Sequence, residues 1–545
     1  MSKLFDSSDE PPDGYGKKSK KIKYKTSAAR LFAPVSQLVK NPQATTPKPP
    51  CCLVFDPDFV YWAGRNLPIT EVLKHLLVLG ASGAAKTKSI QLFLQSILPF
   101  VRAKSNPPKQ IIITDPKCEI VPYLAALGFN PEDEDVFLLH PFDARSVQLV
   151  ISLLVKEPAL ARYFAALLIP DEKNSTAPYF ANAARDLVFA IIIAMNAASP
   201  DEPWSLRDLL CALSSRANIE AVTNNDPRAS EIAHNILSDE KHSGGVISTL
   251  STKLGPYEEV AALMASNPTT KTFSVQDFLK KPGVLILGND PVLKESLKPI
   301  IALVLKALTD EMLRQTDTLE NRQFVILDEF RAHGKLECIH DLLNMGRSKG
   351  VSALIGIQSV EGVVDIYQQA ATDDLLSQCA HKTFLRAGGP QTAEWAEKHF
   401  GKIRHMEQVV SESKSGNGTS WSVQYSLRER SLFLASTFLD LPFAKAGGIY
   451  RAICDVPAHS CVYIVERAFD EILSWVVKPA TDVPALDKRS DPKDQALKPW
   501  SAQEKFRFYA RKPEALKPQA PYLPVRPRRK PPEPPTQDDL FPPKQ

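Results

Sequence analysis

No two of the eight cysteines in this 545-residue sequence stand at CxxC spacing; they lie at 51, 52, 118, 211, 338, 379, 454 and 461. That excludes a zinc ribbon or a thioredoxin-like pair and leaves reduced thiols as the expectation. Cys51 and Cys52 are adjacent, but no His or Cys close in sequence completes a ligand set. Long apolar runs are missing too. A bilayer span needs ~20 mostly apolar residues, whereas Leu187 to Met195 stops at nine, with Arg185 and Asp186 just before it. It is expected to be a buried helix. The first residues carry charge without an apolar stretch behind it, so they do not form a secretory signal. Nor does one sign of charge dominate: 66 basic residues against 62 acidic ones give +4, too little on this length to indicate nucleic-acid binding. These absences lead to the expectation of a soluble, cytoplasmic chain with no transmembrane segment.

What is present is globular: 44% hydrophobic and 23% charged residues, on a length that exceeds one ordinary core. Residues 1–50 are polar and contain the basic run Lys17 to Lys25; they are expected to be a disordered basic arm for nucleic acid, acidic lipid or a partner, or else a solvated tail. Residues 483–545 are read as a Pro-rich tail, extended or disordered, with Pro524 to Pro535 as a possible docking strap. Between them, Leu76–Leu79, Ile111–Thr114, Val136–Leu139, Val284–Leu287, Phe324–Leu327, Ala353–Ile357, Thr383–Leu385 and Cys461–Val465 are apolar runs without polar alternation. Such runs predict a mainly parallel, twisted sheet covered on both faces, the doubly wound α/β class. The pattern divides the sheet-forming region into 51–156 and 281–482, with an inserted all-α domain over 157–280. A Gly/Ser-rich stretch from Glu412 to Ser422, flanked by alternating residues, predicts a projecting hairpin.

The strand Leu76–Leu79 runs into Gly80-Ala81-Ser82-Gly83-Ala84-Ala85-Lys86-Thr87 and then a helical stretch from Ser89 to Leu98. This is the pattern of a phosphate-binding loop: backbone N–H groups surround the phosphates, a lysine reaches the outer ones, and a hydroxyl holds Mg²⁺. Gly80, Ser82, Gly83, Ala84, Ala85, Lys86 and Thr87 are the expected nucleotide contacts. The pattern has glycine at position 85, and the sequence has alanine. A left-handed backbone there strains any non-glycine residue by about 1–2 kcal/mol; a small backbone shift is the expected accommodation.

A second strand, Gln323–Leu327, ends in Asp328 and Glu329. A P-loop nucleoside triphosphatase needs this pair: the first carboxylate orders Mg²⁺, and the second takes a proton from the attacking water. The strand ending at Ile357 is followed by Gln358, which would lie beside the other two strand ends and read the γ-phosphate. ATP and Mg²⁺ are the expected cofactors, with Thr87 and Asp328 holding the metal.

The stretch LDEFRAHGKLECIHDLLNMGRSKGVSALIGIQSVEGVVDIY, residues 327–367, resembles the type IV coupling proteins of bacterial conjugation and type IV secretion. Further similarity lies in Asp115 to Glu119, Phe180 to Arg185, Ser296 to Ile301, Leu385-Arg386 and Thr392 to Trp395, so it extends over roughly 70–470. The resemblance implies a RecA-like P-loop domain of the FtsK/HerA type carrying an inserted all-α domain and assembling as a homo-hexamer. It implies ATP-driven delivery of DNA, a nicked single strand with its attached relaxase, or of protein substrates to secretion-channel subunits; many members begin with transmembrane helices, which are not expected here, so attachment to the inner membrane is expected through partners or not at all. Arg386, at the end of the Thr383–Leu385 strand, becomes the expected arginine finger reaching a neighbouring subunit's site. Lys241 and Lys253 are possible DNA contacts in the inserted domain.

Two positions depart from the family pattern, Ala85 and Cys118, each standing where glycine is usual. They keep open a second reading, a non-hydrolysing docking platform with a weakened nucleotide site. A third is an FtsK/HerA-like DNA pump unrelated to secretion.

Overall fold

The computed structural model describes residues 39–40, 56–103, 107–171, 178–290, 292–415 and 418–509. The basic run at 17–25, the pair Cys51-Cys52 and the proline run at 524–535 lie outside the described residues, as does the side chain of Lys241.

A ten-stranded sheet forms the frame. Its strands in chain order are β1 (Val39–Lys40), β2 (Leu76–Leu79), β3 (Gln110–Asp115), β4 (Val136–Leu139), β5 (Gly283–Gly288), β6 (Gln323–Leu327), β7 (Val351–Ile357), β8 (His381–Phe384), β9 (Ile449–Val456) and β10 (Cys461–Ala468). Their spatial order is β1-β10-β9-β8-β2-β7-β6-β3-β5-β4. From β8 across to β4 every pairing is parallel. Among the described strands β9 alone is reversed: it runs antiparallel to both β8 and β10, and β10 pairs parallel with β1.

The continuous apolar runs follow from burial on both faces. Leu76, Val78, Ile111, Ile113, Phe324 and Ile326 pack into one core; Leu77, Leu79, Ile112, Val325 and Leu327 point the other way into a second. Each such side chain contributes about 1.5–3 kcal/mol on leaving water. Strand β9, absent from the expected set, alternates partly exposed and buried positions on the antiparallel side of the sheet. The helix α1 (Lys86–Ile97) returns over one face and α2 (Ile120–Ala126) follows β3.

Helices fill most of the stretch from Pro158 to Phe278. At their centre is α3 (Pro178–Ala198), 21 residues long. It is long and apolar enough to cross a bilayer, and Leu187, Val188, Ala190, Ile191 and Met195 are buried in the core. Side chains of Ser205, Ser215 and Asp226 cap the helices that follow it. The next long helix, α4 (Lys294–Arg314), returns beside the sheet.

The expectation of a disordered tail from 483 onward does not hold up to residue 509. Arg489, only 9% exposed, donates to the carbonyls of Leu263 and Ser266 and pairs with Asp494 at 2.9 Å. Trp500 stacks on Phe508 and donates to Asp208 Oδ1 at 2.9 Å. Isolated aromatics in a Pro-rich, polar stretch give no periodic signal, yet here they anchor a strap across the helical layer. The hairpin Lys402–Ser415/Gly418–Ser431 projects from the sheet side with 14 residues in each strand.

Candidate functional site

The site gathers at the carboxyl ends of the parallel strands. Gly80, directly after β2, donates to Ile357 O at 3.0 Å; a Cβ there would lie 2.9 Å from Leu385 Cβ, so the chain passes only as glycine. Beyond it, Ser82 and Gly83 are exposed, Ala84 is buried, and Lys86 and Thr87 open α1. The N–H groups of Ser82, Gly83 and Ala85 find no carbonyl among the described residues. First-turn amides of a helix have no partner within it either. A row of unpaired donors at a helix N-terminus is an anion site by construction.

Ala85 has φ 73° and ψ 21°. The loop therefore keeps the left-handed conformation, and the expected backbone shift does not occur. The methyl group packs against the core beneath α1, and the strain of about 1–2 kcal/mol stays in the loop.

Lys86 is 5% exposed and faces two carboxylates: Glu329 Oε2 at 3.1 Å and Asp328 Oδ1 at 3.5 Å. Gln358 Nε2 donates to the same Glu329 oxygen at 2.5 Å. Thus α1, the β6 end and the β7 end bring Lys86, Asp328, Glu329 and Gln358 into one cluster. Glu329 reaches it through a left-handed backbone of its own, φ 51° and ψ 55°. Asp328 Oδ1 accepts the Glu329 N–H at 2.8 Å; a Cβ on Gly356 would come within 2.9 Å of that oxygen, which keeps β7 free of a side chain there. Below Asp328, His333 is buried with Nε2 3.4 Å from the Asp328 carbonyl, and burial lowers its pKa to about 4.

Thr87 lines a small cleft with Gln91, Asp115, Lys117, Glu119 and Asp328. A hydroxyl and a carboxylate at its rim are hard oxygen ligands of the kind Mg²⁺ takes together with phosphate and water. Asp115, at the end of β3, accepts from the N–H of Ile120, Glu119 and Lys117 at 2.9, 3.0 and 3.4 Å. Burial pushes its carboxyl above the ordinary range despite those donors. Cys118, in the same turn, has φ 55°. Its thiol donates to Asn289 O at 2.7 Å, and burial together with Asp115, Asp290 and Asp143 pushes it up to about 12. Both positions where glycine was expected are therefore left-handed.

Arg386 is not in the Lys86 cluster. Its Nη1 donates to Leu441 O at 2.8 Å, and its guanidinium lies over the Phe443 ring at 4.3 Å. A finger reaching a neighbouring copy would have to break both contacts. Sequence reasoning passed over His333 and the segment 441–445, whose Ala444 donates to Gly83 O at 2.9 Å; more than 350 positions of chain separate them, and no motif links the two.

A family model described as the type IV secretion-system coupling protein DNA-binding domain matches residues 60–462. The type IV secretion system-coupling protein VirD4 of Bartonella henselae is 22% identical over 383 residues, 66% of this chain and 58% of that protein. Coupling protein TraD of Escherichia coli K12 is 24% identical over 177 residues, 31% of this chain and 25% of TraD. The chain thus spans between a quarter and three-fifths of these relatives. Among solved structures, the plasmid coupling protein TrwB in complex with ADP and Mg²⁺ superimposes with a TM-score of 0.59 at 17% identity, covering 80% of this chain and 94% of that one. The fold is that of a RecA-like P-loop nucleoside triphosphatase.

Proposed function

Since this chain belongs to the type IV secretion-system coupling protein family, we propose that it is an ATP-driven coupling protein that brings DNA, with its attached relaxase, or a protein substrate to the secretion channel. The observation that carries this reading is the convergence of Lys86, Asp328, Glu329 and Gln358 from separate strand ends beside the unpaired loop amides. Homo-hexameric assembly and single-stranded DNA as cargo are parts of the same proposal.

The residues divide the work by their chemistry. The amides of Ser82, Gly83 and Ala85, those of the first helical turn and the Lys86 ammonium bind the phosphates, and Thr87 and Asp328 hold Mg²⁺, which when bound neutralises charge developing on the phosphoryl oxygens. Lys86 then exchanges its carboxylate partners for phosphate, which releases Glu329. That carboxylate accepts the proton of the attacking water, and Gln358 fixes its orientation through the 2.5 Å hydrogen bond. Lys117 and Glu119 border the cleft without a step assigned to them.

Purified protein should hydrolyse ATP faster in the presence of DNA, and Glu329→Gln should lower turnover by roughly 100-fold or more while nucleotide still binds. Equal inactivity of wild type and Glu329→Gln at high protein concentration with DNA would sink the motor reading. The left-handed Ala85 favours one alternative, a docking platform with a weakened nucleotide site. Titrating a fluorescent ATP analogue with Mg²⁺ separates the two: tight wild-type binding excludes the platform, and binding seen only in Ala85→Gly establishes it.

A further inference from the structure

The loop from Gly80 to Ala85 is clasped from outside the nucleotide side. Ala81 N–H donates to Arg386 O at 2.9 Å, and Ala444 N–H donates to Gly83 O at 2.9 Å. These two bonds engage the loop from two different segments, the end of β8 and residues 441–445. Arg386 joins those segments at the loop, through its bond to Leu441 O and its stack on Phe443, and the neighbouring Ala387 N–H donates to Phe438 O at 2.9 Å. Phe443 is 51% exposed, so core burial does not account for it. Its ring edge lies 3.7 Å from where a Cβ on Gly83 would be. An aromatic ring held by a guanidinium therefore rests against the exposed part of the loop.

We propose that Arg386 and Phe443 are positioning residues that hold the loop at 80–85 in its phosphate-accepting shape from within the same chain, standing in for the glycine missing at position 85. The inference rests on the nucleotide-site reading above and deepens it. A strained alanine at φ 73° favours any relaxation that lets residue 85 leave the left-handed region. Clasping Ala81 and Gly83 on the near side opposes that relaxation, because the chain between the clasp and α1 is only two residues long. Apparent affinity scales with the fraction of loops in the competent shape. Loosening the clasp should therefore cost much with alanine at 85 and little with glycine, whose backbone adopts that conformation without strain.

The test is a double-mutant cycle on the full chain, with Mg²⁺ and a fluorescent ATP analogue as the probe. Phe443→Ala and Arg386→Ala are each measured with Ala85 and with Ala85→Gly. Amide exchange over residues 79–90 without nucleotide gives a second readout. With Ala85, each variant should weaken probe affinity about tenfold, the equivalent of the strain released, and speed exchange at 81–85. With glycine at 85 both effects should shrink to about twofold or less, and Phe443→Tyr, which keeps the ring, should behave as wild type. Equal losses in both backgrounds would overturn the proposal. So would an Arg386→Ala variant with unchanged affinity and exchange but reduced turnover, the signature of a finger serving a neighbouring copy. Failure of the probe to bind in either background sinks the nucleotide reading instead, and the exchange data still decide the clasp.

Discussion

Asp328 and Asp115 follow paired residues, Leu327 and Thr114, on neighbouring parallel strands, so the two carboxylates occupy matching places at the carboxyl edge of the sheet. Their surroundings differ. Asp328 has a buried lysine 3.5 Å away and is itself 16% exposed. Asp115 has only amide N–H donors for partners and a carboxyl pushed upward by burial. Residue type and strand position are the same, so the counter-charge and access to the cleft decide the role: the first carboxylate can trade partners with an incoming phosphate and cation, whereas the second is committed to closing the start of α2.

The sharpest break of this comparison is to delete each side chain in turn. Asp115→Ala leaves the amides of Lys117, Glu119 and Ile120 without their acceptor, and unfolding in urea should show a loss of about 2–4 kcal/mol. Asp328→Ala removes one of two acidic neighbours of Lys86 and the acceptor of a single amide, that of Glu329, so stability should change by about 1 kcal/mol while ATP turnover falls by roughly 100-fold or more. The same stability loss at both positions would mean that the two strand ends are structural equivalents after all.

A smaller effect distinguishes the floor of the Asp328 side. His333 packs against the Asp328 carbonyl, with Glu329 and Lys298 the charges bearing on it, and burial holds its pKa near 4 against an ordinary 6.5. Between pH 6.5 and 4 the unfolded chain therefore binds a proton that the folded chain does not. Stability attributable to His333 is complete above about pH 6.5 and is lost as pH falls towards 4. His75, with Nδ1 accepting from Ala353 N–H and a pKa also lowered to about 4, adds a second contribution of the same sign. The folding free energy should decline over this window, and His333→Gln should make that decline shallower. Asp115 contributes the opposite slope, because its raised carboxyl keeps a proton that the unfolded chain releases as pH rises.

Which parts of this site were legible in the sequence follows from distance along the chain. Gly80 to Thr87 and Asp328-Glu329 are contiguous patterns, and the apolar strands before them announce their place at strand ends. Gln358 needed only the assumption of adjacent strands. The matching of Asp328 with Asp115 depends on register between strands more than 200 positions apart, which no local pattern encodes. The left-handed backbone of Glu329 breaks the preference of glutamate for ordinary helical or extended conformations, so propensity alone points away from it. The clasp by Arg386 and Phe443 was hidden for another reason: an arginine at a strand end beside a nucleotide loop fits a finger and a brace equally well until its partners are known.

The finest test of the comparison concerns the two left-handed residues where glycine was expected, one on each side. At Cys118 the side chain returns part of the strain by donating to Asn289 O at 2.7 Å. At Ala85 the methyl group makes only apolar contact. Glycine at either position relieves about 1–2 kcal/mol of backbone strain and gives back about 0.4–1 kcal/mol through the freer unfolded chain. Ala85→Gly should therefore stabilise the protein by roughly 0.5–1 kcal/mol. Cys118→Gly forfeits in addition a half-buried hydrogen bond of about 1 kcal/mol, and its net effect should lie near zero or slightly below. Paired denaturation curves resolve a difference of this size when slopes match. Equal gains at both positions would show that the thiol contact contributes nothing; a loss at position 85 would show that the methyl packing outweighs the strain, and with it would go the need for a clasp.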